Sequence, residues 1–292
     1  MHLWLALAIF GLTYAVISGR SLPGLRLDRP SVVLLGSVLM VASGILTPER
    51  AYASIHLGTL GLLLGMMVLN VYLQRANFFE WAAWHVLRHA RNPKRLLHLT
   101  MWVSGVLSAL LVNDTVCLML TPLVVRVWLG AGLNPLPGLL ALSMGSNIGS
   151  AVTLTGNPQL MIIGQLSELP YLRYALLSLP SGVVGMWSGG WVLQQCFRAA
   201  LSEELTPPTT EAPPKVDRRL LWPSLLVLVG VAVGFLLNLD LAWTALAGAA
   251  LLLPVGGLAP DKVLAEVDWS LLLFFSGLFI VMGGVGDAGL TA

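Results

Sequence analysis

The sequence predicts an all-α membrane protein, built as an inverted repeat with a re-entrant helical hairpin and a broken transmembrane helix. Three observations predict it. Hydrophobic residues make up 57% of the 292 and charged residues 10%, with a mean hydropathy of +0.83, whereas a soluble domain carries roughly 25% charged residues. Long stretches, 127–167 and 241–260 among them, hold no Lys, Arg, Asp or Glu, and a bilayer span needs only about 20 apolar residues. Two further apolar regions, 96–125 and 136–169, are interrupted by polar clusters.

In chain order, full spans are expected near 3–18, 32–46, 55–74, 172–197, 220–239, 241–257 and 269–286. The first is read as a span, because no Lys or Arg precedes it and no clean small-residue cleavage site follows. Trp81, Trp84, Trp102, Trp128, Trp222, Trp243 and Trp269 fall near span ends, where aromatic belts sit. The net charge of +2 points to no nucleic acid; the basic residues lie in short loops and report topology. Arg20, Arg26 and Arg29, then Arg75, Arg88, Arg91, Lys94 and Arg95, then Arg198, Lys215, Arg218 and Arg219 mark three cytoplasmic loops. That orientation requires 96–125 to enter and leave on the cytoplasmic side and 136–169 to cross once. The Pro-, Thr- and Glu-rich stretch 199–219 reads as a cytoplasmic linker. It separates a first repeat, 1–198, with its hairpin at about 96–129 and broken helix at about 136–169, from the start of a second, 220–292. The halves enter from opposite sides, as inverted repeats do. Aligning Gly65 with Gly277 also aligns Ala76 with Ala288.

The first polar cluster is Asn113-Asp114-Thr115. His98 aside, Asp114 is the lone ionisable acid or base between Arg95 and Arg126, and a carboxylate at mid-membrane costs roughly 2.5–3.5 kcal/mol on insertion scales. The flanking arms, 99–112 and 116–128, reach only about 20 Å each, too short to span. Two short helices meeting there place a polar tip in the membrane, with Asp114 and Thr115 at a helix N-terminus where N–H groups favour an anionic partner. Their oxygens also suit a small hard cation. The plainer alternative is a helix cap in an exposed loop. The second cluster runs from Ser143 through Ser146, Asn147 and Ser150 to Thr153, Thr155, Gly156, Asn157, Pro158 and Gln159. Gly and Pro punctuate it, and loosened backbone is tolerated in a membrane only inside protein or along a cavity. A helix contact built on small residues is the alternative.

Other motifs carry less. Gly284-Val285-Gly286-Asp287-Ala288-Gly289 has dinucleotide-fingerprint spacing but ends a span instead of following a strand. A membrane aspartyl protease needs a second membrane Asp in a Tyr-Asp context, which is absent. Cys117 and Cys196 form neither a disulfide framework nor zinc-ligand spacing, so no metal cluster, cofactor or enzyme is expected.

The runs Leu-Val-Asn113-Asp114-Thr115-Val-Cys-Leu-Met-Leu-Thr121-Pro122, Ser146-Asn147-Ile148-Gly149-Ser150 and Thr155-Gly156-Asn157-Pro158-Gln159 resemble the ion transporter superfamily. That group holds arsenite/antimonite pumps, citrate and dicarboxylate carriers and some sodium/proton antiporters. Val267-Asp268-Trp269-Ser270 and the apolar run after it resemble the opening of that group's second repeat. The resemblance implies an elevator-type carrier of the inner membrane with two re-entrant hairpins. Sodium-coupled dicarboxylate carriers usually show Ser-Asn-Thr at the tip; the Asp here matches the arsenite-pump branch, whereas Gly156-Asn157-Pro158-Gln159 does not. The Gly65–Gly277 shift would put a second hairpin near roughly residue 325, so the second repeat is expected to be incomplete.

The function expected is secondary transport of a small anion or oxyanion, arsenite-like or citrate-like, coupled to sodium ions or protons. Substrate and ion would be bound by Asn113, Asp114, Thr115, Ser146, Asn147, Thr153, Thr155, Gly156, Asn157 and Pro158. A sodium ion would sit at Asn113, Asp114, Thr115 and Asn147. Lipid, the anionic solute and a homodimer partner complete the expected surroundings. A sodium/proton antiporter, and in other classes an inactive fragment or a membrane-embedded enzyme, are the rival readings.

Overall fold

The computed structural model describes residues 2–19, 28–167, 169–202 and 214–290. Arg20, Arg26, Glu168 and most of the 199–219 linker lie outside them. Among the described residues every regular element is helical.

The chain opens with α1 (His2–Ser18) and α2 (Arg29–Ala42), followed by a short α3 (Pro48–Ala53) and the long α4 (Leu57–Arg75). The amphipathic α5 (Phe78–Leu87) leads into α6 (Pro93–Leu110) and α7 (Asn113–Gly130). Next come α8 (Leu136–Ser150), α9 (Pro158–Ser167) and the longest helix, α10 (Tyr171–Cys196). The last part holds α11 (Arg218–Leu236), α12 (Leu241–Val255), a short α13 (Pro260–Ala265) and α14 (Trp269–Val285).

α4, α10, α11 and α14 are long and apolar enough to cross a membrane, and α1, α2 and α12 are shorter apolar helices. These seven correspond to the seven full spans expected. Neither α6 nor α7 is among them, although each has 18 residues. Both are longer than the arms read from the sequence, about 27 Å at 1.5 Å per residue. The reason is local. Asn92 caps α6 through the Arg95 N–H at 2.7 Å with Pro93 at its start, so the helix begins among the basic residues. α7 continues past Arg126 and through Pro122 to Gly130.

Two compact units form, Met1–Gly61 with Asp268–Ala292 and Leu62–Val267. Their boundaries do not fall at 199–219, where the sequence led to the expectation of a division. Inside each unit one geometry recurs under a shift of 212 residues. Asp28 caps α2 by accepting from the Ser31 N–H, and Asp240 caps α12 by accepting from the Trp243 N–H. Hydrogen bonds from Ser31 hold the Asp28 carboxyl below its ordinary pKa, so that cap persists above the unfolded value and is lost as pH falls through the folded one. α3 and α13 begin at Pro48 and Pro260, α4 and α14 at Leu57 and Trp269.

The packing repeats as well. In the first unit Gly277 of α14 sits on α2, where an added Cβ would lie 2.8 Å from Val33 Cγ1; Ser37 Oγ donates to the Gly277 carbonyl at 2.9 Å. In the second, Gly65 of α4 sits on α12, and its Cβ would lie 2.6 Å from the carbonyl carbon of Ala245. Gly36 faces Val281 in the first unit and Gly248 faces Leu69 in the second. All four pairs obey the same shift. Gly65→Ala meets backbone and is expected to cost about 1–3 kcal/mol despite alanine's better helix propensity, more than Gly277→Ala, which meets side chains that can turn. Unfolding midpoints of the two variants in detergent check the order.

The rest of the second unit positions the polar clusters. α6 and α8 pack through small residues. A Cβ on Gly149 would overlap the Gly105 backbone, and one on Gly145 would overlap the Met101 carbonyl and the Ser104 hydroxyl. Helix backbones approach this closely only where side chains are missing. The end of the linker is anchored, not loose: Asp217 N–H donates to the Ala76 carbonyl at 3.3 Å, and Asn77 Nδ2 donates to the Lys215 carbonyl at 3.0 Å.

Candidate functional site

α6 stops at Leu110 and α7 starts at Asn113, joined by Leu111 and Val112 in extended conformation. The second break spans 151–157, between α8 and α9. The two breaks meet. Asn113 N–H donates to the Gly156 carbonyl at 2.9 Å, spending one of the N–H groups that a helix start leaves open. Gly156 is required there, because a Cβ would strike the Ser150 backbone and lie 2.8 Å from the Ser108 carbonyl.

Hydroxyls stitch the junction. Ser146 Oγ donates to the Asn113 carbonyl at 3.2 Å, which leaves Ser108 Oγ as the donor to Ser146 Oγ at 2.8 Å. Thr153 Oγ1 donates to the Ala109 carbonyl at 2.6 Å, returning to the last turn of α6. Thr155 Oγ1 and the Tyr171 hydroxyl are 3.1 Å apart. Asn157 uses both ends of its amide: Oδ1 accepts the Leu160 N–H at 2.8 Å and caps α9, and Nδ2 donates to Ser150 Oγ at 3.1 Å. Pro158 opens α9 and is buried. A polar knot of this density in an apolar protein satisfies groups that lipid cannot.

Most of the residues singled out in the sequence are therefore gathered: Asn113, Ser146, Thr153, Thr155, Gly156, Asn157 and Pro158 at the junction, with Asp114 and Thr115 in the first turn of α7. Asn147 is the exception. It is exposed, and its Nδ2 donates to the Ser143 carbonyl of its own helix at 2.9 Å. One residue along α8 from Ser146 is about 100° around the helix, which turns it away from the tip. Asp114 is exposed, whereas Asn113 is buried.

Asn113 Oδ1 is buried without a hydrogen-bond partner. A buried amide oxygen left so costs about 1–3 kcal/mol, and a bound cation or a ligand hydroxyl relieves that cost. No cluster of three or more His, Cys, Asp or Glu occurs among the described residues, so the donors gathered here are neutral oxygens, with the Asp114 carboxylate in the adjoining turn. Such oxygens suit sodium and other hard cations, not transition metals.

Sequence reasoning missed Ser108 and Asn70, and named Ser150 in the second cluster without placing it among the binding residues. Asn70 of α4 is buried; its Nδ2 donates to Thr115 Oγ1 at 3.3 Å, and its Oδ1 is buried without a partner. The available signal was its position, a strong polar group deep in an apolar span. Ser104, Gly105 and Ser108 showed the small-residue spacing that matches Gly145 and Gly149 across the interface.

Comparison with known proteins places the chain among transporters. The family model for citrate transporters matches residues 6–292. Among curated relatives, an uncharacterized transporter of Mycobacterium tuberculosis is 32% identical over 98% of this chain and 69% of its own length. The silicon efflux transporter LSI3 of rice is 29% identical over 96% of this chain and 70% of its own length. The arsenical pump membrane protein of Escherichia coli is 28% identical over 88% of this chain and 64% of its own length. These relatives are carriers by name, not enzymes, and the apolar helices described above suit a multi-pass membrane transporter. The chain belongs to the citrate transporter family.

Proposed function

We propose that this protein is a secondary active carrier of the inner membrane for a small oxyanion or its uncharged oxyacid, coupled to sodium ions or protons, with the α6–α7 turn and the α8–α9 break as the binding site. The carrying observation is the junction itself, where the Asn113 N–H meets the Gly156 carbonyl between two interrupted helices. Broken helices facing one another at mid-membrane are where transporters hold solute and ion. No Lys or Arg occurs between Arg95 and Arg126 or between Arg126 and Arg173. Hydroxyl, amide and backbone groups make the site, a chemistry suited to a compact hydroxyl-bearing oxyacid rather than a tricarboxylate. The names of the silicon and arsenical relatives point the same way.

In this reading α6 and α7 form a re-entrant hairpin and the two halves an inverted repeat. The reciprocal contacts of Gly65 with Ala245 and of Gly277 with Val33 support the repeat, since a pseudo-two-fold axis makes each half contact the other through equivalent residues. Cysteines placed at Arg91 and Lys215, in a background without Cys117 and Cys196, are expected to react with an impermeant thiol reagent from the cytoplasmic side alone. Labelling of either from outside overturns the topology.

The function is tested by thermal stabilisation of the purified protein with arsenite, silicic acid or citrate, each with and without sodium. A rise in midpoint with arsenite or silicic acid, enlarged by sodium or by a pH change, is expected. Citrate alone stabilising would overturn the oxyacid preference. Sodium stabilising with no solute effect would favour sodium/proton exchange through Asp114.

A further inference from the structure

We propose that the outer face of α5 and the turn into α6 form a seat for an anionic phospholipid. Arg88, Arg91, Lys94 and Arg95 take its phosphate, and Trp81 and Trp84 lie at the level of its glycerol. The seat is separate from the α6–α7 turn and independent of the solute and ion carried.

Phe79, Ala83 and Leu87 are buried along one face of α5, and α5 packs against both α6 and α7. At about 100° per residue, Trp81, Trp84, His85 and Arg88 fall on the opposite face. There the Trp81 and Trp84 rings flank His85, with centroids 4.5 and 5.0 Å from it. The Arg88 guanidinium lies 5.1 Å from the centre of the Trp84 ring, within cation–π reach. With ten residues α5 is too short to span a bilayer. A helix with an aromatic and basic outer face lies in the membrane interface, where indole rings settle at headgroup level.

Arg88, Arg91, Lys94 and Arg95 are all exposed. No Asp or Glu occurs between Glu80 and Asp114, and Glu80 faces Arg126 at 3.7 Å. Among the described residues none of the four cations has a carboxylate partner. The turn that carries them is compact: the His89 N–H donates to the Val86 carbonyl at 3.1 Å, the Ala90 N–H to the Leu87 carbonyl at 2.9 Å, and Asn92 then caps α6. Like charges are thereby held close together. Two of them, Lys94 and Arg95, sit in the first turn of α6, where the helix dipole disfavours a cation. Topology accounts for the sign of these charges. It does not call for a guanidinium over an indole, or for the aromatic face beside it. A phospholipid uses both, the cations for its phosphate and the rings for the boundary beneath. A free phosphate has no use for the rings, so the lipid is the occupant.

The experiment is native mass spectrometry of the purified full chain with phosphatidylglycerol or phosphatidylcholine of the same acyl chains. Phosphatidylglycerol is expected to bind about tenfold or more tighter. Arg88→Gln, Arg91→Gln, Lys94→Gln and Arg95→Gln combined should remove most of that preference. The same loss of charge through Arg198→Gln, Lys215→Gln, Arg218→Gln and Arg219→Gln should leave it intact. Trp84→Leu keeps every charge and is expected to weaken phosphatidylglycerol binding about threefold; it decides the matter if the first combined variant does not fold. Equal loss in the two combined variants means that net charge alone draws the lipid, and overturns the seat. A wild-type protein that binds the two lipids alike overturns it too, as does unchanged affinity in Trp84→Leu. Inorganic phosphate raising the unfolding midpoint as much as phosphatidylglycerol would make the patch a site for a soluble anion, and the lipid reading falls.

Discussion

Replacing Gly149 with alanine is expected to destroy the folded second unit, at a cost of about 3 kcal/mol or more. The added methyl would overlap the carbonyl, Cα and carbonyl carbon of Gly105 on α6. Backbone cannot swing aside as a side chain can, so α6 and α8 must separate. With them goes the Ser108–Ser146 pair and the Thr153 bond to Ala109 that holds the α8–α9 break against α6. Gly105→Ala is expected to be milder, because its methyl would first meet the flexible end of Met186. Gly230→Ala, with nothing within 4 Å, is the control and should gain up to about 1 kcal/mol from helix propensity. Recovery of monodisperse protein from membranes and its unfolding midpoint rank the three. Equal behaviour of Gly149→Ala and Gly230→Ala would refute the close α6–α8 contact.

The second large effect is functional. Asp114→Asn removes a carboxylate from the first turn of α7 without changing its shape, and Asp114 is exposed while its neighbour Asn113 is buried. Insertion and stability should therefore survive, while cation-dependent solute binding falls about 100-fold at limiting sodium. Asn147→Ala is expected to leave that binding unchanged, because Asn147 faces outward and bonds to its own helix. The pair separates position in a motif from position in a site. Unaltered cation and pH dependence in Asp114→Asn would reduce Asp114 to a charge at a helix start.

Much of this was legible in the sequence because membranes make polar residues conspicuous. The seven apolar helices, the turn before Asn113 and the interruption ahead of Pro158 follow from charge, Gly and Pro placement alone. Asn147 adjoins Ser146 in sequence but lies apart from it in the structure, because helical rotation separates neighbours that a motif joins. The true start of α6 was hidden because capping by Asn92 extends a helix into charged sequence that hydropathy assigns to a loop. Asn70 was hidden for the opposite reason: one amide in a long apolar helix reads as tolerance until its partner on α7 is known. The 212-residue recurrence showed in the sequence as little more than two glycines and two alanines. It became distinct through contacts, because glycine approach is set by geometry and leaves little trace in composition.

The placement of α14 has a consequence for how the protein is made. Residues Met1–Gly61 complete their compact unit with Asp268–Ala292, so α2 waits for Gly277 while everything between is synthesised. At about 5–20 residues per second this is a delay on the order of 10–40 s. Through that interval Ser37 and the small face around Gly36 lack the helix that covers them. A nascent chain paused before α14 should therefore be held by insertion machinery, or degraded, more readily than one paused just after it.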